Sequence, residues 1–410
     1  MKPAAPITIV NAQLVTPAGV TAGAIRLAEG LIEAVGNLSS VAGDETIDAR
    51  GRLVVPGLVD YGVFAVDKPA FHFGGITRAA LMPDQAPVID LPSRVTYIAK
   101  SGKPDLWVHP FAAATRALDG REIAELALMR QAGARGVATG RGWIADSGVM
   151  LRLLQYAAML DLTVIAHPED SGLVGAAVAT AGEYATRRGL PSAPAEAEAI
   201  AIARDLALAR LAGARLHLRQ VTTRTGLDLV RQAKAAGQPV TAGVTPAHFM
   251  LSDLATADFR TFARLSPPLR GEEDRQAVRA ALADGTLDVV SSGHDPRGPE
   301  DKRLPFADAA PGMAGAETLL AMMLLLERDD VIDMARVFDL IAGAPARLLG
   351  VRAGRLEPGY EADLAIVDPD KPWIVRSEKM AAAAGNTPFD GQPVQGRVLT
   401  LFKGGVRIAG

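Results

Sequence analysis

The chain has no cysteine, which excludes disulfides, thiolate metal sites and cysteine nucleophiles. It has no long apolar run: the longest, Leu319 to Leu326, falls far short of the ~20 residues a membrane helix needs. Met1 to Val10 carries one lysine, two prolines and no apolar stretch of signal-peptide length. Nor is there an excess of charge. The 43 basic and 46 acidic residues are mixed along the chain, so the formal net charge of -3 offers no footprint for nucleic acid or a membrane surface. No internal repeat of roughly 20 to 50 residues and no low-complexity tract stands out. The expectation is a cytoplasmic protein whose partners are small neutral molecules or other proteins.

What is present suits a large α/β core. With 410 residues, 49% of them hydrophobic, the chain exceeds the roughly 250 residues of one α/β barrel, so a large domain plus a smaller one is expected. Ile7 to Arg50 alternates short β-type runs with turns at Pro17-Ala18-Gly19 and Glu29-Gly30. The C-terminus has the same texture, from Ala362 to Asp368 and from Gly396 to Ile408. Neither end has enough strands for a stable sheet, and together they suggest one composite β-sandwich domain over residues 1–55 and 355–410.

Between them, over 56–354, strands alternate with helices. Candidate strands are Leu58-Tyr61, Arg78-Met82, Leu106-Pro110, Arg135-Thr139, Thr163-His167, Arg215-Val221, Pro239-Val244 and Leu287-Ser291. Candidate helices include Arg121-Gln131, Val149-Leu160, Ala195-Leu211, Gly226-Ala236 and Asp274-Ala283, several stopped by glycines such as Gly133, Gly213 and Gly237. Eight strands with intervening helices predict a (β/α)8 TIM-type barrel. The first connection, Gly62 to Gly75, contains Pro69 and Gly74-Gly75 and reads as a loop or single turn. That would leave a gap in the helix ring, covered by Phe71 and Phe73 or by a partner. Gly133-Ala134-Arg135-Gly136 and Gly140-Arg141-Gly142 match neither phosphate-loop fingerprint and read as bends at element ends.

A set of motifs recurs in a specific order: Pro56-Gly57-Leu58-Val59-Asp60, Met82-Pro83-Asp84, Thr245-Pro246-Ala247-His248, Pro267-Pro268-Leu269-Arg270, Pro345 to Gly350, and Asn386-Thr387-Pro388-Phe389. In this order and spacing the chain resembles dihydroorotases of the long bacterial type, within the cyclic amidohydrolases, from about Gly51 to the C-terminus. The resemblance implies an amidohydrolase-like barrel and, in active relatives, one or two zinc ions that make hydroxide available to attack a ring amide.

It also marks what is missing. The His-x-His pair that such enzymes carry on the first strand falls at Gly62 and Phe64; on a strand, i and i+2 aim at one spot, and here they are an absent side chain and a hydrophobic plug. The bridging acidic residue after strand four falls at Thr139 or Gly140. The strand-five ligand is kept as His167, the strand-six histidine becomes Gln220, and the strand-eight aspartate becomes Gly293, beside His294. On the substrate side the resemblance places Val66 for an arginine, Asp84 and Ser266 for asparagines, and Arg297 for a histidine. One good ligand cannot hold a catalytic zinc, so no catalytic residue, metal or cofactor is expected.

Of the six histidines, His167 and His294 sit where barrel catalysts sit but lack partner ligands and read as vestigial. His217 and Gln220, three apart, make a poor chelate, and His72 reads as packing or surface. Asp84, Glu169, Asp170 and Asp295 could rebuild a carboxylate site, though loop carboxylates are usually solvated. The favoured expectation is a catalytically silent homologue, similar to the non-catalytic dihydroorotase-like chains that partner aspartate transcarbamoylase, and self-associating. Two rivals remain: a metal-dependent cyclic amidohydrolase with a relocated site, and a small-molecule sensor using the barrel mouth.

Overall fold

The computed structural model describes residues 5–410. Eight parallel strands form the barrel: Leu58–Val63, Ile76–Leu81, Trp107–Pro110, Val137–Ala138, Val164–Ala166, Leu216–Leu218, Val240–Val244 and Val289–Val290. Each pairs with the next, the third reaching the fourth through its extension Ala112–Ala113. Strand eight closes on strand one through the Phe64 amide, which donates to the His294 carbonyl at 2.9 Å. Asp60 adds a second tie by accepting from the Ser292 amide at 2.9 Å and from its hydroxyl.

The first two strands are buried at every position, as expected of a parallel sheet covered on both faces. Inside the barrel, the Tyr61 ring lies 5.1 Å from Phe111 and 4.9 Å from His217. Burial there holds the His217 pKa down at about 3.

The first connection differs from the sequence expectation. Lys68–Gly74 forms a seven-residue helix, capped by the Asp67 carboxylate and ended by Gly75 at φ 81°. Pro69 does not interrupt it, because it sits in the first turn, where a missing N–H breaks no helical bond. This connection thus adds a short helix to the ring, in which Phe71 is fully buried and Phe73 packs 5.5 Å from Trp373 beneath the Arg397 guanidinium at 4.0 Å. The expected helix at Arg121-Gln131 is shorter, beginning at Leu126, because Ile123 is drawn into a bridge with Thr115.

Both ends of the chain build one eight-stranded sheet. Ile7–Thr16 pairs with Gly19–Ala28, Glu45–Asp48 and Leu53–Pro56; Gly19–Ala28 pairs on with Leu31–Gly36, and Leu53–Pro56 with Leu364–Ile374, which continues to Pro393–Lys403 and Val406–Ala409. The sheet curls so that Leu31 meets Glu361, enclosing Ile9, Ile25, Ile32, Leu364 and Phe402 in a separate core. The sandwich is thus a single sheet folded over. Arg78, from the second barrel strand, binds it to the barrel: its guanidinium lies 2.8 Å from the buried Asp363 carboxylate and also contacts Glu361.

Candidate functional site at the barrel mouth

The C-terminal ends of barrel strands are where such folds place chemistry. Here a buried arginine takes the centre. Arg219 follows strand six directly, past the end of its regular pairing. Its Nη2 lies 3.1 Å from His167 Nδ1, and its guanidinium stands 5.1 Å from the Phe64 ring. The His167 Nε2 lies 3.3 Å from Glu169, whose other oxygen takes a 2.9 Å bond from Arg270. One tautomer satisfies this chain: Nε2 carries the proton toward Glu169 and the Nδ1 lone pair accepts from Arg219. Both ring nitrogens are then engaged, and no lone pair is free for a metal.

The electrostatics agree. Burial lowers the His167 pKa, opposed by the Glu169 bond and reinforced by the Arg219 charge. Burial raises the Glu169 carboxyl, but His167 and Arg270 outweigh it and hold it at about 2. Burial pulls Arg219 down to about 10, with Asp84 opposing and Arg141 adding to the effect. Glu198, fully buried, accepts from the Thr222 and Thr223 amides at 2.9 and 2.8 Å and from Arg270 at 3.3 Å.

The ligand-equivalent positions have other neighbours. Gly62 has φ 109°, and a Cβ there would lie 3.8 Å from the Arg219 Cδ. Phe64 is 9% exposed and lies under the Arg141 guanidinium at 3.7 Å. The Thr139 hydroxyl accepts the His167 amide at 3.1 Å. At Gly140, φ 78°, a Cβ would come within 2.7 Å of the Asp84 carboxylate. Gly293 has φ 62°, and a Cβ would come within 2.9 Å of the Thr245 methyl. Gln220 lines the mouth, with its Oε1 buried and without a hydrogen-bond partner.

His294 is not brought to His167. It turns outward, 3.4 Å from Asp67 and 5.3 Å from the Phe71 ring. Among the substrate-equivalent positions, Val66 is half-buried against the barrel core, and Ser266 is exposed on the rim. Asp84 accepts the Arg141 amide at 2.8 Å. Arg297 pairs with Asp295 at 3.2 Å and donates its amide to Asn386 at 2.9 Å.

The carboxylates considered for a rebuilt metal site have other partners. Asp295 also pairs with Arg141 at 2.7 Å, and Asp170 caps the short helix Ser171–Val174. Among the described residues, no three His, Cys, Asp or Glu side chains are grouped to hold a metal ion. The donor set does not fit zinc. What space remains, about 30 Å³, is room for a water or two, far below the roughly 300 Å³ or more of small-molecule pockets.

The sequence reading does not single out Arg219, Arg141 or Arg270 as site residues, although a signal exists: Arg219 adjoins Gln220 and Arg141 adjoins Gly140, so a cation stands beside two of the ligand-equivalent positions. Residues 74–408 match the model of the amidohydrolase family. The chain belongs to that family. As an amidohydrolase-family member it is 38% identical over 396 residues to a dihydroorotase of Pelotomaculum thermopropionicum, covering 93% of this chain and 92% of that protein. It is 36% identical over 399 residues to a dihydroorotase of Geobacter sp. (strain M21), covering 93% and 94%. Among solved structures it is similar to L-hydantoinase (dihydropyrimidinase) from Arthrobacter aurescens, with a TM-score of 0.90 and 26% identity over 99% of this chain and 96% of that one. Among the described residues no helix is long and apolar enough to cross a membrane.

Proposed function

We propose that this amidohydrolase-family chain is a dihydroorotase-like protein without hydrolytic activity, acting as a structural partner of aspartate transcarbamoylase. The observation that carries the first half is the Arg219–His167–Glu169–Arg270 chain, which puts a fixed cation against the one retained ligand. A guanidinium supplies positive charge but no Lewis acidity and no bound hydroxide, so the hydrolytic step has no nucleophile. The partner rests on the likeness to silent dihydroorotase-like chains of that kind. It is supported by exposed apolar side chains at one end of two neighbouring outer helices, Met159 at 84% and Leu211 at 70%. The chain also self-associates in this reading.

Two measurements test it. Protein purified without chelators should contain almost no zinc and leave dihydroorotate intact; about one equivalent of zinc, lost together with activity on chelation, favours a relocated hydrolytic site. Aspartate transcarbamoylase from the same source, expressed with and without this chain, should differ in activity and oligomer size and should co-elute with it. With mixed charges on the surface, that contact should respond only modestly to salt. Identical preparations without co-elution would overturn the partnership.

A further inference from the structure

The floor of the barrel, at the end away from the mouth, holds a cleft of about 600 Å³. Arg135, Thr163 and Arg215 lie just before strands four, five and six. The Val137 amide bonds the Thr163 carbonyl and the Val164 amide bonds the Arg215 carbonyl, both at 3.0 Å, setting the three side by side. With strands ~4.8 Å apart, the two arginines flank the threonine at roughly 10 Å. Arg130 and Arg347 also line the cleft, and Asp161 is its one acid, so the lining carries four positive charges against one negative in a chain of net charge -3.

Arg215 is paired with Asp161 at 2.7 Å and Arg347 with Asp339 at 2.8 Å, whereas Arg130 and Arg135 have no carboxylate partner among the described residues. The two existing pairs are solvent-exposed and exchange readily for a stronger anion. Cations converging on a concave surface repel one another unless an anion sits between them. Guanidinium forks match phosphate oxygens, and the volume falls within the roughly 300–1,000 Å³ of small-molecule sites.

We infer that this cleft binds a small phosphorylated metabolite, its phosphates held by Arg130 and Arg135 with Arg215 opposite. The site lies at the opposite end of the barrel from the mouth. The test is calorimetric titration of the whole protein with inorganic pyrophosphate, using citrate as a polyanion without phosphorus. Saturable binding is expected, at least about tenfold weaker for citrate and at least about tenfold weaker in the Arg130→Ala/Arg135→Ala double variant, while Arg141→Gln at the mouth leaves it unchanged. Arg135→Gln alone supplies the comparison should the double variant unfold. No saturable binding, citrate matching pyrophosphate, or loss with Arg141→Gln instead of the floor variants would overturn the inference.

Discussion

Arg219 and Arg270 are both buried guanidiniums at the mouth, and replacing each with methionine should give opposite results. For Arg219, the fall from 12.5 to about 10 corresponds to roughly 3 kcal/mol of unfavourable free energy for keeping the charge buried. Against that stands one hydrogen bond to His167, worth about 1 kcal/mol. Methionine fills a similar volume without charge, so Arg219→Met should leave stability within about 1 kcal/mol of the parent or raise it by up to about 2 kcal/mol. Arg270 instead bonds Glu169 and Glu198, both buried, together with the Thr222 and Thr180 hydroxyls. Arg270→Met strands two carboxylates and should lower stability by about 3–5 kcal/mol. Urea unfolding followed by circular dichroism and tryptophan fluorescence measures both, and an unchanged slope m shows that the comparison concerns stability. If Arg219→Met falls as far as Arg270→Met, the buried cation is a net stabiliser and the account of the mouth is wrong.

Gly62→His/Phe64→His should neither bind zinc nor hydrolyse dihydroorotate, because residue 62 has φ 109°, Arg219 stands over it, and positions 139, 140, 220 and 293 still lack ligands; metal analysis showing stoichiometric zinc would refute this. Stability should fall as pH drops from 6.5 to 5: His217 at about 3 and His248 at about 4 stay neutral when folded, while the unfolded chain takes up their protons, removing about 2 kcal/mol per histidine at pH 5. Asp205, raised by burial to about 6, binds its proton more readily when folded and offsets about 1 kcal/mol of that loss. His217→Gln should flatten the decline by about 2 kcal/mol, and an unaltered urea midpoint profile would contradict the assignment. Arg78→Met leaves the buried Asp363 with the Gly404 amide but without its ion-pair partner, and should lower the thermal midpoint and expose the small sheet first to limited proteolysis; unchanged cleavage would argue against Arg78 as the tie between the two cores.

Much of the barrel was readable because the strands are short apolar runs bounded by turn residues, and several helices end near a glycine stop. The helix at Lys68–Gly74 escapes a local reading because proline breaks helices in most positions; here it lies in the first turn, set by the Asp67 cap, where it is compatible. At the site, the erased ligands could be named from Gly62, Phe64, Gln220 and Gly293. What replaced them could not, since Arg219 enters the mouth only after the strand has lost its alternation, and no local pattern shows that its guanidinium lies against His167, 52 residues away in sequence.

The sequence by itself determined the repeating α/β pattern and the composite β domain, because periodicity is a local property; the positions to compare with metal ligands come from the family resemblance. Tertiary structure alone decided that His167 is bound on both nitrogens, that His294 faces Asp67 instead of the mouth, and that four arginines line one cleft at the barrel floor. Those facts depend on which strand ends become neighbours when the sheet closes, a long-range constraint that no window of sequence contains.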